Sequence, residues 1–279
     1  MKIAKTVTIL ALLLTGSAEA HTLRLVDGEN VSLTALVKDL RQARVIFIGE
    51  SHDSLAHHRA QLEIIRALRE EGEELAIGLE MFRSDSQEAL DRWVAGEIGF
   101  VKFMAVYHDN WQWWDKYSLI FNYARENRVE MIGLNLSREI VAKVARNGFD
   151  SLSREEKEEL PVVRCVVDDA YRTYIRRALG KHDLQGTAFD NFCEAQLLWD
   201  KVMARNLLDY LTDHPDKKVA VLAGSGHAWK YGIPAQLKAG GENNWRVILP
   251  APPGQPGPVN VSPEDADYLL LGVEETPFH

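Results

Sequence analysis

The sequence is poor in cysteine, with Cys165 and Cys193 as its only two among 279 residues. Neither belongs to a C-x-x-C or C-x-x-C-H motif, which argues against a thioredoxin-type redox site, a cysteine-ligated zinc and a covalently attached c-type haem. Both cysteines lie in segments with a helical pattern. A disulfide between them and a pair of buried thiols therefore both remain open.

Other signatures of common chemistry are also missing. The segment GSGHAW, residues 224–229, lacks the third glycine of G-x-G-x-x-G, so dinucleotide binding is not expected. Neither the phosphate-binding motif G-x-x-x-x-G-K-[ST] nor the serine-hydrolase elbow G-x-S-x-G occurs. Positive charge is scarce, because the net charge is −9 and the pI is near 5.5. Nucleic acid or an anionic membrane is therefore not expected as the main partner.

The long apolar run is confined to the N-terminus. Lys2 and Lys5 precede the apolar residues 7–14, and an Ala-Glu-Ala sequence ends at Ala20. This order is typical of a cleaved secretory signal, and the run is too short to span a bilayer comfortably. We predict cleavage after Ala20, with no lipid-acceptor cysteine and no membrane span. Residues 21–279 would then form a single exported, periplasmic domain.

Short apolar strands alternate with amphipathic helices along the mature chain. The predicted strands are residues 44–49, 75–80, 129–135, 217–224, 245–250 and 267–272. The predicted helices are residues 54–71, 84–94, 110–127, 137–146, 162–180 and 187–214. This alternation predicts an α/β fold with a mostly parallel sheet flanked by helices. The strand-free stretch at about 151–214 is predicted to be an all-helical insertion that acts as a lid over one end of the sheet.

Polar side chains follow glycines at the ends of four predicted strands. They are Glu50 and His52 after Gly49, Glu80 after Gly78, Asn135 after Gly133, and His227 after Gly224. Because ligands bind beyond the carboxyl ends of parallel strands, we expect these residues to converge on one cleft. Two histidines and one or two carboxylates suit either a divalent metal or general acid–base chemistry. Each residue alone could instead satisfy a helix N-terminus, but five at four strand ends favour a functional cleft.

Three further residues have both a packing and a ligand-binding interpretation. His57 and His58 begin the first helix of the alternation, either as half-buried histidines or as contacts to a ligand. Trp114 shares a helix face with Tyr117 and Phe121. That face predicts core packing, and the alternative is a stacking wall for a flat ligand.

Taken in order, five motifs resemble those of a known family. They are FIGESHD with the following HH, GLEMF, GLN, NFCEAQLLWD and LAGSGHAW. This set is similar to that of the ChaN-like haem-binding uptake proteins, which belong to the wider Tiki/TraB/erythromycin-esterase superfamily, and the likeness covers about residues 44–249. The resemblance implies an exported protein of haem or iron acquisition with haem or an iron-porphyrin as its ligand. A second copy of the chain, as a homodimer, and an outer-membrane haem receptor are further candidate partners.

Haem binding implied by this resemblance needs an axial histidine or tyrosine and cations for the propionates. Tyr107, Tyr171 and Tyr174 are axial candidates among which the sequence does not choose. Arg83 and Arg138 follow strand ends and could pair with propionates, or could be solvated arginines at helix starts. The predicted ligand-binding set is therefore His57, His58, Asn135, Arg83, Arg138 and Trp114.

The same resemblance supports an alternative, because the Tiki branch carries two G-x-x-H motifs and a glutamate and is regarded as metal-dependent proteases. His52, His227 and Glu80 match that pattern and would hold a divalent metal ion. Glu50 could replace Glu80 as the ligand, and the remaining glutamate would take a proton from the metal-bound water. Haem binding is the preferred interpretation, a metal-dependent hydrolase is the alternative, and a structural protein with a vestigial cleft is the third.

Overall fold

The computed structural model describes residues 21–158, 160–161, 169–179, 184–251 and 261–273. The predicted signal segment, residues 1–20, lies outside the described residues, as does Cys165. Within the described ranges, every helix is too short or too polar to cross a membrane.

The described strands form one mixed sheet. They are β1 (His21–Arg24), β2 (Glu29–Val31), β3 (Val45–Glu50), β4 (Leu75–Arg83), β5 (Met131–Asn135), β6 (Lys218–Gly224), β7 (Trp245–Pro250) and β8 (Tyr268–Leu271). Their spatial order is β2-β1-β8-β7-β3-β6-β4-β5. Strands β3 to β8 pair in parallel, and only β1 pairs antiparallel, with β2 and β8. The predicted mostly parallel sheet is confirmed.

Helices connect the strands and cover the sheet. They are α1 (Leu33–Leu40), α2 (Leu55–Glu70), α3 (Gln87–Val94), α4 (Phe100–Asn110), α5 (Trp114–Glu126), α6 (Arg138–Asn147), α7 (Arg154–Glu158), α8 (Asp169–Leu179), α9 (Gly186–Asp213), α10 (Ser225–Ala228) and α11 (Ile233–Ala239). Short 3-10 helices lie at Ser84–Ser86 and Phe149–Ser151. The predicted helix start at Ser137 is confirmed, because its hydroxyl accepts the Glu139 N–H.

Strand β3 shows how the sequence places helices on both faces. Successive side chains of a strand point to opposite faces, and all those from Val45 to Ile48 are apolar and fully buried. Ile46 and Ile48 join the core beneath α1 to α5, whereas Val45 and Phe47 join the core beneath α9 and α11. Each such burial stabilises the fold by about 1.5–3 kcal/mol. The two cores hold the carboxyl ends of β3, β6, β4 and β5 side by side.

The described part of the chain between β5 and β6 is helical, as predicted. Residues of α6, α8 and α9 build a third core, in which Val144, Ile175 and Phe189 are buried. Helix α9 has 28 residues and continues from this core into the one beneath the sheet, where Met203 packs. Cys193 is buried in the third core and is disulfide-bonded. The division into one domain with a lid remains a prediction.

One predicted helix, residues 110–127, is wrong at its start. Helix α4 ends at Asn110, and α5 begins only at Trp114. Trp111 is extended and Trp113 adopts left-handed backbone angles (φ 56°, ψ 45°), so the right-handed helix cannot continue through residues 111–113. The break places a tryptophan-rich loop, residues 111–113, beside the carboxyl ends of the strands.

Candidate functional site

The polar residues predicted at the four strand ends do converge, and Glu80 lies at their centre. Its Oε2 accepts the Gly224 N–H at 2.6 Å. Its Oε1 lies 3.8 Å from Nε2 of His52 and 3.8 Å from Nε2 of His227. The parallel order of β3, β6 and β4 brings these three side chains together, although they are far apart in the sequence.

Each of the two histidines is held by its own carboxylate. Nδ1 of His52 lies 2.8 Å from Oε1 of Glu50, and Nδ1 of His227 lies 2.7 Å from Oδ1 of Asp200. Such pairs fix the orientation of an imidazole and favour the tautomer with hydrogen on Nδ1. Both Nε2 atoms are thereby directed toward Glu80. We call these five side chains the histidine–carboxylate cluster.

Asp200 is the cluster member that the sequence interpretation missed. It lies on α9, and it is buried although it is charged. Its only sequence signal is its place at the end of the motif NFCEAQLLWD, since a single aspartate on an otherwise apolar helix face does not reveal its partner. Buried carboxylates need such partners.

Glu50 is fully enclosed by proton donors. The Tyr117 hydroxyl donates a short hydrogen bond to Oε1, and Nε2 of His58 lies 3.0 Å from Oε2. Burial alone would raise the pKa of Glu50, but the hydrogen bonds from His52 and His58 hold it well below its usual range. Glu50 is therefore ionised, and its neighbours Tyr117 and His58 support the ring of His52 indirectly.

His57 and His58 are buried and contact neighbouring groups of the protein. The His57 Nδ1 accepts the Ser51 N–H at 2.9 Å, which fixes the turn between β3 and α2. His58 has no exposed surface, and its ring centroid lies 4.0 Å from that of Tyr117. Their predicted role in ligand binding is not supported by this placement.

Asn135 is likewise buried and bonded within the protein. Its amide nitrogen donates to the Glu80 carbonyl at 2.5 Å, and its oxygen accepts from the Trp199 indole. The Trp199 ring packs 4.9 Å from that of His227. Asn135 thus joins β4, β5 and α9 beneath the cluster, and its role in ligand binding stays a prediction.

Several side chains of the histidine–carboxylate cluster have shifted pKa values. Burial works against protonation of His227, yet the charges of Glu80 and Asp200 raise its pKa to about 9. Burial raises the pKa of Asp200 to about 6, against the lowering effect of His227. The pKa of His52 is also raised despite its burial, by the hydrogen bond with Glu50 and the charge of Glu80. At neutral pH, His227 and Asp200 form a buried ion pair.

The predicted metal site of His52, His227 and Glu80 is not supported. Within the described residues, no three His, Cys, Asp or Glu side chains are arranged to hold a metal ion. A tetrahedral zinc with bonds of about 2.0–2.1 Å would hold its donor atoms about 3.3–3.4 Å apart. The two 3.8 Å separations exceed this distance.

The mouth of the cluster is lined by the loop at residues 111–113. The ring of Trp111 meets that of His52 edge-on, with centroids 4.9 Å apart. The ring of Trp113 lies 6.5 Å from that of His52 and within 17° of parallel. Trp113 is 43% exposed and the His52 side chain is 31% exposed, so both reach the surface.

Trp114 does not form the stacking wall that was one of its two interpretations. Its ring packs against Phe103, Tyr107 and Phe121, with centroid distances of 6.1, 4.9 and 5.7 Å. Trp114 is thus partly buried and packs against the core, as its helical spacing predicted. The exposed indole at the site is that of Trp113, which sequence spacing did not single out.

The two predicted arginines differ in their availability. Arg83 pairs with Asp85 at 3.0 Å and with Asp109 at 2.7 Å, so its guanidinium is already neutralised. Arg138 is exposed, its guanidinium lies 5.0 Å above the ring of Trp111, and it donates to the Asn110 carbonyl. No carboxylate among the described residues pairs with Arg138.

Residues 36–237 match the family model described as haem-binding uptake, Tiki superfamily, ChaN. The chain belongs to this family. The matched range contains the whole histidine–carboxylate cluster, the loop at 111–113 and Arg138. No curated protein matches this chain.

Solved structures share the fold of this ChaN-family chain. ChaN of Campylobacter jejuni, solved with cofacially bound haem, is 22% identical and has a TM-score of 0.70, over 90% of this chain and 96% of that one. An erythromycin esterase mutant in its open conformation is 16% identical with a TM-score of 0.50, over 90% and 82%. The type III effector HopBA1 is 13% identical with a TM-score of 0.50, over 88% and 94%. These identities establish a common fold only.

Proposed function

We propose that this chain binds haem and takes part in haem or iron uptake. The observation that carries the proposal is the family match over residues 36–237. The similar fold of ChaN from Campylobacter jejuni, which binds haem, supports it.

The residue types at the mouth of the cluster suit the chemical groups of a porphyrin. Haem has a broad apolar face and two carboxylates, so it needs flat apolar surface, a cation and an axial ligand. Trp113 and Arg138 offer the first two. The His52 Nε2 lies 3.8 Å from Oε1 of Glu80, and a Cβ added to Gly224 would lie only 3.0 Å from it, so this nitrogen is closely packed on the inner side of the site. We therefore do not assign His52 as the axial ligand.

Export to the periplasm is part of the proposal and depends on residues 1–20. Lys2, Lys5, the apolar run and the Ala-Glu-Ala sequence support a cleaved signal. Expression of the full chain with its N-terminus intact, followed by mass spectrometry of the periplasmic fraction, tests this directly. A mature protein that begins at His21 supports export, and a chain retained intact in the cytoplasm contradicts it.

Haem binding is tested by titrating hemin into the purified mature protein and following the Soret band. Saturable binding with a fixed stoichiometry is expected, and sedimentation of the same samples shows whether two chains associate around the ligand. Competition with apomyoglobin provides the control for non-specific adsorption of hemin. A linear, unsaturable response would contradict the proposal.

A hydrolase is the second candidate, and it is favoured by the position of Glu80, whose Oε1 lies 3.8 Å from Nε2 of both His52 and His227. Glu80 would take a proton from a bound water as its oxygen attacks an ester carbonyl carbon. The carbon–oxygen bond to the leaving group would then break, and protonated His227 would give its proton to that oxygen. Turnover of small esters that survives a chelator and disappears in Glu80→Gln would support this candidate. Turnover abolished by the chelator, or unchanged in Glu80→Gln, would contradict it.

A further inference from the structure

Trp113 is unusual both as the N-cap of a helix and as a residue with a left-handed backbone. It is the N-cap of α5, where Ser, Thr, Asp and Asn are preferred, yet within the described chain its side chain makes no capping hydrogen bond. Its backbone is left-handed, with φ at 56°, a conformation that favours Gly and Asn. An asparagine would satisfy both requirements. The tryptophan satisfies neither, and it remains 43% exposed.

The other described non-glycine residue with positive φ, Arg128, shows the contrast. It follows the C-terminal end of α5, where left-handed residues commonly terminate helices, and its guanidinium donates to the Val94 carbonyl at 2.8 Å. The end of α5 therefore explains the left-handed backbone of Arg128. Neither a capping hydrogen bond nor burial explains why a tryptophan occupies position 113. Residues in an unfavourable conformation with no structural compensation are expected at functional sites.

The loop presents the Trp113 indole in a fixed place. The buried Tyr107 hydroxyl donates to the Gln112 carbonyl at 2.8 Å, and the Trp111 N–H donates to the Tyr107 carbonyl at 2.6 Å. These bonds hold the residues on the N-terminal side of Trp113. The ring then lies near-parallel to that of His52 and edge-on to that of Trp111. A surface fixed in this way loses little conformational entropy when a ligand binds.

Arg138 supplies a positive charge over the ring of Trp111, which also contacts Trp113. Its guanidinium lies 5.0 Å above that ring, while Trp113 lies 6.2 Å from the same ring. Among the described residues it has no carboxylate partner, in contrast to Arg83, which has two. An uncompensated, exposed guanidinium is notable in a chain of net charge −9. It is suited to pairing with a carboxylate of a ligand.

We propose that Trp113 and Arg138 form a contact subsite for a porphyrin. The indole of Trp113 stacks on one face of the macrocycle, and the guanidinium of Arg138 pairs with a propionate. This inference rests on the proposed haem binding and adds the surface that makes the contact. The ligand class is a flat aromatic macrocycle that carries carboxylates.

The test compares hemin and iron-free protoporphyrin IX on four variants and on the unmodified protein. Trp113→Asn is expected to bind both porphyrins about tenfold more weakly, because aromatic stacking is lost. Trp113→Phe is expected to restore most of the affinity. Arg138→Gln is expected to weaken binding about threefold at low salt and by less at high salt. Phe100→Ala, an apolar residue that is 53% exposed elsewhere, is the matched control and is expected to bind normally.

The possible outcomes separate the subsite from the function. If the unmodified protein binds neither porphyrin, both the haem proposal and the subsite are wrong. If the unmodified protein binds them and Trp113→Asn and Arg138→Gln bind equally well, haem binding stands and the subsite is wrong. Thermal unfolding of each variant controls for misfolding. Trp113→Asn is expected to melt no lower than the unmodified protein, because asparagine suits its backbone.

Discussion

The Nδ1 of His227 lies 2.7 Å from the Oδ1 of Asp200, and both side chains are buried. His227 lies directly after strand β6, and Asp200 lies on helix α9. Their contact therefore links the end of a central strand to that helix. A buried ion pair adds little net stability, but removing one partner leaves a buried charge and costs about 3–5 kcal/mol. The pair therefore sets the charge state of the site as well as its geometry.

The free energy of unfolding is expected to fall as the pH rises from about 6.5 to about 9. The folded state raises the pKa of His227 from 6.5 to about 9, so it holds this proton more tightly than the unfolded chain does. The resulting stabilisation is complete below the unfolded pKa and is lost as the pH passes the folded pKa, at most about 3 kcal/mol. The raised pKa of Asp200 likewise lowers the free energy of unfolding as the pH rises, but between pH 3.8 and about 6.

Urea unfolding at a series of pH values checks this prediction. Asp200→Asn is the informative variant, because it removes the carboxylate that helps to protonate His227. Its unfolding free energy should be lower near neutral pH and should depend less on pH between about 6.5 and 9. An unchanged slope in Asp200→Asn would show that the ion pair does not control this titration.

The environment of Glu50 predicts a coupled loss of stability. Glu50→Gln replaces an acceptor oxygen with a donor amide among side chains that already donate, and it is expected to cost about 3 kcal/mol. Tyr117→Phe removes the hydroxyl that donates to Glu50 and is expected to cost about 1.5–3 kcal/mol. The double variant should lose less than the sum, because both single changes remove the same bond. Additive losses in urea unfolding would contradict a direct interaction.

Much of the sheet and of the cluster could be predicted because the signal is local. Each parallel strand is a short apolar run, and the polar residue beyond its glycine must lie at the carboxyl edge whichever strands are neighbours. Glu50, His52, Glu80 and His227 were found in this way. Strands β1 and β2 have three or four residues and no apolar run, so the same rule did not detect them.

The parts that escaped prediction depend on tertiary contacts. Asp200 has no local pattern, since its partner His227 is 27 positions away. The helical periodicity of residues 110–127 continues through Trp113, although hydrogen bonds from Tyr107 and the left-handed backbone interrupt the helix there. The same interruption exposes Trp113 in place of Trp114. His58 was placed near the cleft, but sequence spacing could not show that Glu50 would enclose it.

The packing of the partly buried Trp114 ring against the core predicts a large effect on stability, which an exposed residue does not share. Trp114→Ala is expected to lower the free energy of unfolding by about 3 kcal/mol or more, because the ring packs against Phe103, Tyr107 and Phe121. Val101→Ala, at a residue that is 83% exposed, is expected to change it by less than about 0.5 kcal/mol. Similar losses in the two variants would mean that the Trp114 ring does not pack against the core.

Gly224 sets the space between the sheet and His52. A Cβ added there would lie 2.9 Å from Cε1 and 3.0 Å from Nε2 of His52, which is closer than side-chain carbons approach. Gly224→Ala should therefore push the imidazole away from Glu80 and cost about 1–3 kcal/mol of stability. Because the charge of Glu80 helps to raise the pKa of His52, that pKa should fall, as NMR titration of the ring protons would show. Gly226→Ala is the matched control, since among the described residues no atom lies within 4 Å of its added Cβ. If His52 titrates in Gly224→Ala as it does in the unmodified protein, the close approach of this glycine does not position the ring.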